Sequence, residues 1–203
     1  MKKLLVLGLL AIMALAVGAE TLKVTADTWV YQFRPNKNYG DGFGWLDITN
    51  PDDPTSMPRL FMGFGGEDKK LVLLKFDTSK LNRLVKKATL MIYNDFAGSD
   101  AALMVDAKAI KANWTEKKAT WNNKPELSDE VLSSTKLKGS IGLKGRGKWY
   151  KWDVTKLAQD WQKGGANNGV ALDPQGDSGV DFQVICKESK GHDAHFPKID
   201  VEF

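Results

Sequence analysis

Apolar and polar residues alternate with a period of two along most of this chain, the spacing of strands that turn one face to a core. Leu103, Val105, Ala107 and Ala109 share one face of their segment, and Met104, Asp106, Lys108 and Ile110 the other. Tyr150, Trp152 and Val154 oppose Trp149, Lys151 and Asp153, and at the end Ile199, Val201 and Phe203 alternate with Lys198, Asp200 and Glu202. Further strands are expected at 21–32, 58–64, 70–77, 87–95, 131–138, 169–172 and 180–186, separated by Gly, Pro, Asn and Asp clusters that supply turn chemistry. One stretch departs from period two. Leu157, Ala158 and Trp161 recur at helical spacing, Asp153 or Thr155 can cap the start, and Gly164-Gly165 ends it. The pattern predicts an all-β chain, a single antiparallel β-sandwich with one short helix near 155–163. The longest aperiodic stretch, 35–58, is rich in Gly and Pro and reads as a surface loop within that domain.

The N-terminus follows different rules. Residues 1–19 place Lys2 and Lys3 before an apolar run from Leu4 to Val17, with Val17 and Ala19 as small residues at a cleavage position. This is the pattern of a secretory signal peptide, which makes 20–203 a secreted domain at or beyond the cell surface. The run is shorter than the roughly 20 residues of a bilayer span, and no second such run follows, so no integral membrane span is expected after cleavage. Export also changes the charge balance. The whole chain carries 29 basic and 25 acidic residues, and losing Lys2 and Lys3 leaves 27 against 25, a net charge of +2. Nucleic-acid binding, which rests on a concentrated basic field, is not expected. The chain has one cysteine, Cys186, so it has no internal disulfide, and its place at the end of Phe182–Cys186 suits a small hydrophobe. No nucleotide-binding glycine loop, nucleophile elbow or zinc-protease motif is present.

Several short motifs recur in a definite order. Asp27-Thr28-Trp29-Val30 precedes Asn38-Tyr39-Gly40, then come Leu73-Leu74-Lys75-Phe76-Asp77 and Trp114-Thr115-Glu116. Thr120-Trp121-Asn122-Asn123-Lys124-Pro125, Trp152-Asp153-Val154-Thr155, Asn168-Gly169-Val170 and Lys187-Glu188-Ser189 follow. The series resembles the DNRLRE-domain family, also classed as carbohydrate-binding module family 96 and related to disaggregatase repeats, over about residues 22–203. The resemblance implies a jelly-roll sandwich that binds acidic polysaccharide such as alginate without cleaving it. Two features depart from the family's arrangement: the module is expected to stand without an attached catalytic domain, and an insert at 41–58 follows the Asn-Tyr-Gly turn.

The resemblance and the chemistry together nominate binding residues. Lys75 points away from Leu74 and Phe76, where a fixed cation suits a uronate carboxylate. Lys187 matches the family's basic-then-Glu motif. Arg34 and Arg59 flank the Asn-Tyr-Gly loop, whose Asn38 and Tyr39 are further candidates, and Trp45 in the insert offers a stacking face for a sugar ring. Modules of this architecture often carry structural calcium, for which Asp27 and Asp153 are the side-chain candidates. Asn122 and Asn123 read as a turn, and His192 and His195 as a polar loop. Glu116 and Glu188 would form a glycosidase pair only if they faced one bond. The alternative to a secreted glycan-binding module is a structural protein of the cell surface or matrix that self-associates through sandwich edges.

Overall fold

The structure, a computed structural model, describes residues 18–42, 57–65, 68–97, 100–138 and 147–203. Trp45, nearly all of the expected signal segment and most of the insert lie outside the described residues. The elements are β1 (Ala19–Tyr31), β2 (Arg59–Phe64), β3 (Lys70–Phe76), β4 (Lys87–Ala97), β5 (Ala102–Ile110), β6 (Leu127–Lys138), β7 (Lys148–Asp153), α1 (Thr155–Gln162), β8 (Val170–Gln175), β9 (Val180–Ile185) and β10 (Lys198–Glu202). Each segment with period-two alternation forms a strand, and the one helical pattern forms the helix.

All the strand pairings are antiparallel, in the order β1-β10-β4-β9-β2-β3-β8-β5-β6, with β7 on β4 and β1 also on β3. Two long strands join the layers. Residues 19–23 of β1 pair with β10, and beyond an irregularity between Val24 and Ala26 the strand pairs with β3. β4 likewise passes from β10 and β7 onto β9 across an irregularity between Asn94 and Phe96. Such irregularities bend a strand and increase its twist, so one strand can serve both layers of a sandwich.

The main core lies between the layers and takes Trp29, Leu60, Leu74, Leu90, Val105, Trp152 and Phe182 from seven strands. α1 adds Leu157, Ala158 and Trp161, the residues that its spacing places on one face. Its start differs from the expected cap. Val154 is the N-cap and makes no side-chain cap bond; Asp153 Oδ1 accepts the Thr155 amide at 2.9 Å instead. Thr155 Oγ1 accepts the Ala88 amide at 3.0 Å, which ties the helix to β4.

β3 is buried on both faces. Val72, Leu74 and Phe76 enter the main core, whereas Leu71 and Leu73 join Val30, Ile110, Trp114, Ala119 and Ala171 in a second cluster. The cover of that second cluster is the connector 111–126 between β5 and β6. A strand buried on both sides loses its polar alternation, which is why β3 reads as an apolar run until Lys75. Lys75 shares the face of Leu71 and Leu73, opposite Leu74 and Phe76, as the alternation predicts.

Candidate functional site

The connector 111–126 organises the charged chemistry of the molecule, and the Asn-Tyr-Gly loop holds it down. Asn38 Nδ2 donates to the Glu116 and Ala119 carbonyls at 2.8 and 2.7 Å, and Asn38 Oδ1 accepts the Gly40 amide at 3.1 Å. Tyr39 is fully buried and stacks on Trp29 with ring centroids 3.8 Å apart. A Cβ at Gly40 would collide with the Glu116 carbonyl, so only glycine lets the loop approach the connector this closely. Asn38 and Tyr39, nominated above as ligand contacts, therefore act as framework: one spends its amide on the connector and the other has no solvent-facing surface. From the far side, Trp114 Nε1 donates to the Asn168 carbonyl at 2.8 Å. Asn123 closes the expected turn through the Thr120 amide and the Lys118 carbonyl.

The first charged centre forms where the connector meets β1 and the β9–β10 connection. Asp27, Glu116 and Glu188 bring carboxylate oxygens within 4.8 Å of one another. The Lys187 ammonium sits on two of them, bonding Glu116 Oε1 at 2.9 Å and also Glu188 Oε1. Asp27 is 1% exposed, and its Oδ2 accepts the Lys187 amide at 2.9 Å. Burial, reinforced by the Glu188 charge, pushes the Asp27 carboxyl well above the usual carboxylate range. Glu116 is raised for the same two reasons. Burial disfavours the Lys187 ammonium, but Glu188 and Glu116 outweigh it and hold this group above the ordinary lysine range. Cys186 is buried beside them, its thiol pushed up to about 12 chiefly by burial and then by Asp27. That thiol is inert at neutral pH.

The second centre is an open strand face. Strand register places Ala102, Met104, Asp106 and Lys108 of β5 outward, with Lys138, Lys136 and Ser134 of β6 opposite the first three. On the other side Gln175 and Asp173 of β8 oppose Met104 and Asp106. Asp173 is bridged by Lys69 at 2.6 Å and Lys108 at 2.7 Å. Burial alone would raise its pKa, but these two ammonium groups reverse the effect and hold it below the ordinary value. Lys124 lies 3.9 Å from the half-buried Trp121 ring and is depressed by burial and by repulsion from Lys69. Lys124, Lys136 and Lys138 form no salt bridge among the described residues, although Asp173 acts on Lys124 from farther off and partly offsets the repulsion from Lys69. Five lysines thus face two aspartates, and Asp106 is satisfied by the Ser134 hydroxyl.

The remaining nominated residues disperse. Lys75 Nζ donates to Asn113 Oδ1 at 2.8 Å and the Trp114 carbonyl at 3.2 Å, and burial lowers its pKa. It has no acidic partner among the described residues. Arg59 is committed to Asp95 through a forked ion pair of 2.6–3.1 Å. Arg34 is half-buried in the loop after β1. Asp153 holds the start of α1 and does not join Asp27, so the two expected calcium ligands do not form one site. His195 packs on Tyr93 at 4.0 Å, which makes it part of an aromatic cluster with Trp149. Sequence reasoning passed over Lys69, Lys108, Lys124, Lys136 and Lys138. The alternation already set Lys108 outward beside Asp106, and that was the available signal.

The described residues form an antiparallel sandwich with a cluster of charged groups on one strand face. Residues 18–196 match carbohydrate-binding module family 96, and the chain belongs to that family. It is also similar to the tRNA nuclease WapA of Bacillus subtilis (strain 168), 28% identical over 194 residues. The tRNA3(Ser)-specific nuclease WapA of Bacillus spizizenii is likewise 28% identical over 194 residues. The matches cover 91% of this chain and 8% of those two relatives.

Proposed function

We propose that this chain is a secreted, non-catalytic module that binds acidic, uronate-containing polysaccharide through the outer face of β8, β5 and β6. The observation that carries this reading is the set of lysines on that face, three of them in no salt bridge among the described residues, next to a partly exposed Trp121. Ammonium groups on flat strands can meet carboxylates along an extended chain, and an indole beside them can support a sugar face. Glu116 and Glu188 are close enough to suggest a glycosidase pair, but both are paired to the Lys187 ammonium, so neither is left to act as the free acid or base that cleavage needs. That favours binding over cleavage. A matrix protein assembling through strand edges finds less support, because β6, at the end of the strand order, carries Asp129, Glu130, Lys136 and Lys138.

The test is titration calorimetry of the protein against alginate, pectate, a neutral β-glucan and tRNA at two salt concentrations. Salt-sensitive binding to the uronates and none to the β-glucan is expected. Binding to the neutral glucan alone would overturn the acidic specificity. Preference for tRNA would instead connect the chain with the action named for its WapA relatives.

A further inference from the structure

Asp27, Glu116 and Glu188 remain without a role in glycan binding. Their arrangement has an unresolved electrostatic problem: three carboxylates and one ammonium leave two negative charges in a largely buried place. Two oxygens have no hydrogen-bond donor among the described residues, Asp27 Oδ1 and Glu188 Oε2, and both are shut off from solvent. An ionised oxygen buried without a donor is costly unless a cation or a proton meets it. The span is also informative. Oxygens no more than 4.8 Å apart fit on a triangle whose centre is about 2.8 Å or less from each corner, near the 2.3–2.6 Å of calcium–oxygen bonds. Magnesium demands near-octahedral order and gives up its water reluctantly, so an irregular set of carboxylates suits calcium better. The donors are all hard oxygens, and the nearby Cys186 thiol is protonated and engaged with Ser189 Oγ at 3.4 Å, so a thiophilic metal is not favoured.

We infer that Asp27, Glu116 and Glu188 form a calcium site in which a divalent ion neutralises the two charges left by Lys187 and clips β1, the 111–126 connector and the β9–β10 connection together. Calcium is the cation expected above, but it is held by a different residue set, with Glu116 and Glu188 in place of Asp153. Three protein carboxylates leave the remaining positions to water, which suits an affinity of about 10⁻⁴–10⁻³ M. The site lies on groups other than the proposed glycan-binding lysines, so it stands or falls separately from that reading.

The experiment is thermal unfolding of the full chain in 10 mM calcium, 10 mM magnesium and chelator at matched ionic strength, with Asp27→Asn and Glu188→Gln alongside. Calcium should raise the wild-type midpoint by about 3–8 °C, magnesium much less, and both variants should lose most of the calcium shift. The carboxamide oxygen introduced by Asp27→Asn can still accept the Lys187 amide, so that variant should fold. If it does not, Glu188→Gln and terbium binding to the wild-type protein, competed by calcium, decide the matter. No calcium shift in the wild type would overturn the site and indicate that Asp27 and Glu188 share a proton instead. A calcium shift that persists in both variants would overturn it as well, because the ion would then bind elsewhere.

Discussion

Asp27 and Asp173 are both buried acids on strands that flank β3, yet their surroundings drive them in opposite directions. Asp173 stands between Lys69 and Lys108, which overcome its burial and keep it ionised. Asp27 stands beside Glu188 and Glu116; the ammonium of its one charged counterweight, Lys187, is bonded to those two, and only the Lys187 backbone amide reaches Asp27. The first arrangement is saturated with positive charge, so it can offer lysines to an anionic partner. The second is short of positive charge, so it can take a cation or a proton. Burial alone therefore does not determine what a buried acid does; the sign of its neighbours does.

The comparison breaks most readily at Lys187. Replacing it with methionine should leave three carboxylates facing one another and cost about 3 kcal/mol in urea unfolding, whereas Lys108→Met should cost about 1 kcal/mol or less because Lys69 still holds Asp173. Equal losses would mean that the two centres do not differ as described. Next in size is Asn38→Ala, which strips donors from two connector carbonyls and should cost about 1–3 kcal/mol, with faster hydrogen exchange at residues 115–119. Alanine at both Lys108 and Lys124 should weaken uronate binding about tenfold, roughly 1.4 kcal/mol, and flatten its salt dependence without shifting the unfolding midpoint much. Full affinity in that variant would remove the β8–β5–β6 face from consideration.

The smallest effect is a slope with pH, measured in chelator. Because the folded protein raises the Asp27 pKa, folding takes up a proton there, and this contribution should be present near the ordinary carboxylate value of about 3.9 and lost as pH climbs above it. Asp173, lowered in the folded state, contributes the reverse: stability present at neutral pH and lost as pH falls below that value. Asp27→Asn should therefore remove the decline on the alkaline side while leaving the acid limb in place. Glu116, Glu188, Lys187 and Cys186 all face Asp27, and a wild-type profile that Asp27→Asn leaves unchanged would assign the slope to them.

The fold was largely legible from spacing, because period-two alternation is a local property and each strand carries its own copy. Leu103, Val105 and Ala107 face the core as their parity requires, and Lys75 points outward from an otherwise apolar strand. The helix was legible too, but its cap was not: Asp153 and Thr155 are both good capping residues, and only the path of the chain shows that Thr155 is taken by the Ala88 amide. The sites were harder. Asp27, Glu116 and Glu188 come from three separate parts of the chain, and nothing local to any of them announces the others. Lys69, Lys108 and Lys124 meet Asp173 or one another only once the β5–β8 register is known. The Asn-Tyr-Gly motif was legible as a motif and misleading as a ligand site, since a loop that grips a connector and one that grips a sugar use the same amide chemistry.

The first and last strands are partners. Ala19 lies opposite Glu202, the first of five registered pairs that end with Lys23 opposite Lys198. The strands run in opposite directions from that point, so tension applied at the two ends loads their hydrogen bonds one pair at a time. Such a ladder unzips at low force instead of resisting as a unit. Beyond the irregularity at Val24–Ala26, however, β1 changes partner to β3, and the peeling would have to start afresh against a strand buried on both faces. A tethered molecule would then lengthen first by the β1–β10 seam, as a short extensible hem, while the layer carrying both charged centres kept its shape.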